Sequence, residues 1–162
     1  MAVPEIIPIV YEPGYHTGTI GHWEGGQFFG SVIAAFREGY TRTDDWLSHK
    51  RWYAILHTFD AAGHHLDSRI EHTGADDDHR AAVDLANERL KHWLDALPGL
   101  RFDDIAIQPF QHTFDGVLFG LVVQQRSILT IRRPQTRRQG RGDTRPSTSG
   151  LSLAVPRVRL YR

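Results

Sequence analysis

The chain predicts an α+β fold: an antiparallel sheet of hairpins, in the order β-β-β-β-α-β-β, packed on one long helix. Three observations carry this. Apolar and aromatic runs are separated by short glycine-bearing turns, the mark of hairpins. Residues 76–97 place apolar residues at three- and four-residue spacing, the mark of an amphipathic helix. The strand runs are grouped rather than alternating with helices, which argues against a parallel sheet.

After an extended, proline-bearing N-terminal stretch, YHTGTIGHW and QFFGSVIAAF flank Glu24-Gly25-Gly26 and read as a hairpin. SVIAAFRE also fits helical spacing, but the strand reading is preferred. REGYTRTDDWLSHK is polar and turn-rich, a loop with one helical turn at most. RWYAILHTFD makes the next strand. The D-A-A-G that follows puts Gly63 where a type I turn wants positive φ, and HLDSRIEHT returns as the partner.

In the helix, Ala82, Val83, Ala86, Leu90, Trp93, Leu94 and Leu97 define one apolar face. Asp76, Asp77 and Asp78 stand where carboxylates cap free amides and complement the helix dipole, and Pro98-Gly99 ends the element. DIAIQPF and VLFGLVV come last, separated by HTFDG; Asp115-Gly116 is the strongest short hairpin signal in the chain.

The hairpin around Gly63 holds the candidate polar cluster. Pairing Asp60 with His64 sets Thr58, Leu56 and Ala54 against Leu66, Ser68 and Ile70 on the face expected to be core. The outer face then opposes Tyr53, Ile55, His57 and Phe59 to Glu71, Arg69, Asp67 and His65. His57, His65 and Asp67 would form a surface triangle. His64 points away, because neighbouring residues of a strand alternate sides. Two histidines and an aspartate are the ligand types of a facial metal triad, and a His–Asp pair can be an oriented general base. The preferred reading is a solvated cross-strand group, so no catalytic residue, no metal and no cofactor is assigned. His72 and His79 bracket Asp76–Asp78 in a way that could hold a cation, although three acids opening a helix are read first as a dipole device. Trp23, Trp46, Trp52 and Trp93 are read as core aromatics before a ligand pocket.

Composition narrows the chemistry. The absence of cysteine removes disulfides, thiolate nucleophiles and cysteine-ligated metals. The longest clear apolar run, Val117 to Val123, is far short of the ~20 residues of a membrane helix, and the N-terminus is a poor secretory signal. A cytoplasmic protein without membrane contact is therefore expected. Net charge is zero, yet residues 1–125 carry 9 Lys+Arg against 18 Asp+Glu, a balance of −9. Residues 126–162 carry 10 Arg, no Lys and one acid, Asp143, a balance of +9. The chain thus divides into a compact acidic domain, 1–125, and a basic, flexible tail, 126–162.

Arg132, Arg133, Arg137, Arg138 and Arg141 are the candidate nucleic-acid contacts, since clustered arginines neutralise phosphates. Ten arginines against no lysine, with the loss of patterning, also fit a reading-frame change in a GC-rich gene. The function expected is a non-catalytic intracellular macromolecule-binding protein, of antitoxin or immunity type, with a protein partner. The alternatives are a metal-dependent enzyme or small-ligand pocket at the His/Asp cluster, and nucleic-acid binding through the tail.

Overall fold

The computed structural model describes residues 6–123 and 158–160. The fold is α+β, with mostly antiparallel strands and open sheets. The described strands are β1 (Ile7–Ile9), β2 (Ile20–Trp23), β3 (Gly26–Ala35), β4 (Arg51–Phe59), β5 (His65–Ala75), β6 (Arg101–Phe102), β7 (Ile105–Ile107), β8 (Phe110–Phe114), β9 (Val117–Val123) and β10 (Val158–Leu160). A single helical turn, α1 (Trp46–His49), precedes β4. The main helix is a 3-10 turn, Asp76–Asp78, running into α2 (His79–Asp95).

The five-stranded sheet has the order β5-β4-β3-β2-β6, and both of its faces are covered. β4 explains why. Its Tyr53-Ala54-Ile55-Leu56 run has no polar alternation, which suits a strand buried on both sides. Ala54 and Leu56, with Phe28 of β3, pack on Ala86, Leu90 and Trp93 of α2. On the opposite face Tyr53 and Ile55 meet Val117 and Phe119 of β9. Further along that face Phe29 and Phe59 pack with Ile7, Ile105, Ile107 and Leu121. The second β layer comprises the β1-β7 pair and the β8-β9 hairpin.

Polar clasps hold the layers together. Gln27 is buried; its amide Nε2 donates to the Ala106 carbonyl at 3.0 Å, and its Oε1 accepts the Ala106 N–H at 2.7 Å. A buried amide satisfied on both ends costs far less than an unpaired one. Gly63 is the second junction. Its N–H donates to the Asp60 carbonyl at 3.0 Å, closing the turn, while its carbonyl accepts the Gln108 N–H at 2.9 Å.

Several expectations need correction. The element order contains the short strands β1 and β6, which the sequence reading omitted, while α1 is the one helical turn allowed for in REGYTRTDDWLSHK. DIAIQPF is not one strand. It breaks at Gln108-Pro109, where proline has no N–H for a ladder, so that β7 pairs with β1 and FQHTF becomes β8. Neither Asp78 at the start of α2 nor the 3-10 turn has a side-chain cap hydrogen bond; Asp76 is engaged elsewhere. In the tail, Val158–Leu160 pairs antiparallel with β9, with Leu160 opposite Leu121.

Candidate functional site

The turn at Gly63 is built as the sequence suggests. Asp60 N–H donates to the His64 carbonyl at 2.9 Å, and Asp60 Oδ1 accepts the Ala62 and His64 amides, each at 2.9 Å. His64 Nδ1 lies 3.0 Å from Asp60 Oδ2. These amide bonds, the His64 N–H foremost, hold the Asp60 carboxyl below its ordinary range. Of the two adjacent histidines, the first belongs to the turn and only the second, His65, faces the inner layer.

Beyond the turn the predicted register fails by one residue. Phe59 opposes His65, but Thr58 opposes Asp67, so Leu66 is an extra residue on β5 and stands 55% exposed. This bulge carries Asp67 to the face of Thr58 and brings Ser68 opposite His57. The structure therefore joins His57 and His65, but through Ser68 rather than Asp67. Ser68 Oγ lies 2.6 Å from His57 Nδ1 and 2.7 Å from His65 Nε2. A hydroxyl with one proton satisfies such a bridge when it donates to one ring nitrogen and accepts from an N–H of the other.

The cluster is not on an outer surface either. The β8-β9 hairpin covers it. Phe110 stacks on His65 at 4.8 Å between ring centroids and sets its edge to His57 at 4.7 Å. His112 lies 6.3 Å from His65. His57 is 5% exposed, and its pKa falls to about 3, from burial first and then from His65 and His112. Burial and the neighbouring His112 likewise lower that of His65. Near neutrality, His57 is an uncharged core residue. Among the described residues, no group of three or more His, Cys, Asp or Glu side chains has the geometry to hold a metal ion.

Two further polar centres stand outside this cluster: one escaped the sequence reading, and the other, Asp76 with His79, is part of the arrangement read there as able to hold a cation. Asp115 occupies the β8-β9 turn with φ of 53°, followed by Gly116 at 71°, the pattern of a type I′ turn. Its Oδ1 accepts from Arg37 Nη2 at 2.6 Å; its Oδ2 accepts from Arg51 Nη1 at 2.7 Å and from the Tyr53 hydroxyl at 3.1 Å. These donors, Arg37 foremost, bring the Asp115 pKa down to about 2. Burial and the adjacent carboxylate push Tyr53 up to about 12. Asp76 forms the other centre. It accepts from His79 Nδ1 at 2.8 Å, Trp52 Nε1 at 2.7 Å and Lys50 Nζ at 3.1 Å, and titrates at about 2. Both centres tie loops to the sheet. His72 does not join Asp76; its Nε2 bonds the Gly74 carbonyl.

The four tryptophans do not share a pocket. Trp93 and Trp23 pack in the helix-side core, Trp52 bonds Asp76, and Trp46 lies under the Arg42 guanidinium. Arg132, Arg133, Arg137, Arg138 and Arg141 lie outside the described residues.

One concave surface stands apart from these clasps. A groove of about 380 Å³ runs beside β1, lined by Ile7, Ile9, Val10, Tyr15 and Leu121 among others. Its rim is the loop 12–18, folded on itself by bonds from the Tyr15 N–H to the Glu12 carbonyl and from the Gly18 N–H to the Tyr15 carbonyl. That loop presents Tyr15 at 74% exposure, and Val10 beside it is 59% exposed. Comparison with protein-family models, with characterised proteins and with solved structures finds no match.

Proposed function

We propose that this chain is a non-catalytic binding protein that docks a protein partner through the groove beside β1. The observation that carries the reading is Tyr15: a large amphipathic side chain held in solvent by a hydrogen-bonded loop, at the rim of an apolar groove. Tyrosines beside apolar pockets are typical anchors of interfaces, because a tyrosine brings a large amphipathic area with only two side-chain torsions to order. The balance of −9 over residues 1–125 favours a partner with a basic rim around an apolar anchor. An antitoxin or immunity-type role fits that chemistry.

The volume supports a second reading. About 380 Å³ falls within the roughly 300–1,000 Å³ of small-molecule pockets, so a small apolar ligand is the alternative occupant. The test is affinity purification of the untagged chain from its native cells. The protein-binding reading expects a stoichiometric protein partner whose retention is lost in Tyr15→Ala and Val10→Ser variants. A bound small molecule with no protein partner would favour the second reading, and a partner retained equally by both variants would refute the groove as its site.

A further inference from the structure

Three histidines from three strands converge where the second β layer meets the sheet: His57 of β4, His65 of β5 and His112 of β8. Phe110 fills the space between the first two, and Ser68 bridges them. The three differ in access to solvent: His57 is buried, whereas His65 and His112 are half-buried. From β5, Asp67 also acts on His65 and opposes the effect of His112. At the other end of the same hairpin, the Asp115 clasp with Arg37, Arg51 and Tyr53 is already charged and paired. The hairpin is thus held by two fastenings of opposite character. One depends on neutral imidazoles, the other on a salt-bridged carboxylate.

We propose that the three-histidine cluster is an acid-sensitive latch: protonation of His65 and His112 drives the Phe110 end of β8 off the β4-β5 face while the Asp115 end stays fastened. The physical basis is local. A single proton on His65 is tolerated by the bridge, since His65 then donates to Ser68 and Ser68 donates to His57. A second proton on His112 sets two like charges on rings 6.3 Å apart beside an apolar ring, in a half-buried place where screening is weaker than in bulk water. Burial and the neighbouring His112 disfavour a charged His65 in the closed arrangement, and Asp67 offsets them only in part. β8 is the edge of its sheet and, among the described residues, its ladder is with β9 alone, so its Phe110 end can part from β4 and β5 without breaking a backbone ladder to them. Outward movement of Phe110 exposes His57.

The experiment is nuclear magnetic resonance of the full chain from pH 7.5 to pH 5, following histidine ring shifts and ring-to-ring contacts. Contacts of Phe110 with His57 and His65 should be lost as the pH falls, while the Tyr53–Phe119 contact, 5.3 Å between centroids, persists. In a His65→Gln/His112→Gln variant the Phe110–His57 contact should survive to pH 5. Three results would overturn the latch. The first is a Phe110–His65 contact that persists with both histidines protonated. The second is loss of the Tyr53–Phe119 contact in the same step, which would be global unfolding. The third is an unchanged response in the double variant. If that variant does not fold, the wild-type titration alone decides between the first two results and the latch.

Discussion

His57 makes the sheet's inner surface pH-dependent, and the sign follows from its burial. Its folded pKa is about 3, against an ordinary 6.5. While β8 covers it, a depressed imidazole binds fewer protons folded than unfolded, so its contribution is fully present above pH 6.5 and is lost as pH falls toward 3, the loss stopping once the latch opens and exposes the ring. The slope should approach about 1.4 kcal/mol per pH unit within that window. Asp76 and Asp115, both about 2 when folded, lose their contributions only below the ordinary carboxylate value of 3.8. Denaturation measured from pH 7.5 to pH 4.5 should therefore show stability falling well before Asp76 or Asp115 titrates; a flat profile would mean that His57 is not buried. Gly63 gives a second residue-scale prediction. Its φ is +87°, and a Cβ there would stand 2.6 Å from the Ala106 carbonyl oxygen and 2.9 Å from Ile107 Cα. Gly63→Ala should exceed the ~1 kcal/mol of lost glycine freedom, because backbone cannot swing aside as a side chain would. An unchanged denaturation midpoint would contradict this close approach.

At the scale of elements, α2 is the clearest case of sequence specifying structure. Ala82, Ala86, Leu90 and Trp93 are buried at the predicted spacing. Leu90→Ala should cost about 2–5 kcal/mol, and a loss below about 0.5 kcal/mol would mean that the helix presents another face. The hairpin turns were equally legible, since Asp115-Gly116 and D-A-A-G are local chemistry. The strand register was not. A bulge at Leu66 adds one residue without any turn-forming signal, and it exchanges Asp67 for Ser68 opposite His57. The covering of the outer face was half legible. The unbroken run Tyr53-Ala54-Ile55-Leu56 marks a strand buried on both sides, but assigning it one core face left the His57 side exposed in prediction. Asp115 read only as a turn residue, because its partners Arg37 and Arg51 are 78 and 64 residues away.

Among the described residues, α2 and a second β layer sandwich the five-stranded sheet, and the sequence divides its charge between an acidic 1–125 and an arginine-rich 126–162. If Arg132, Arg133, Arg137, Arg138 and Arg141 act only as phosphate neutralisers, duplex DNA should bind no tighter than about 10⁻⁴–10⁻⁶ M at physiological salt. The logarithm of affinity should then fall with that of salt by about 0.9 per phosphate neutralised. Tight, sequence-dependent binding lost on truncation after Gln125 would make nucleic acid the primary partner instead. The central claim is that the groove beside β1 receives a protein. Hydrogen exchange of the chain with and without its copurified partner tests this most directly. The account predicts new protection in residues 6–18 and around Leu121, with α2 unchanged; protection confined to α2 or to the β5 edge would contradict it.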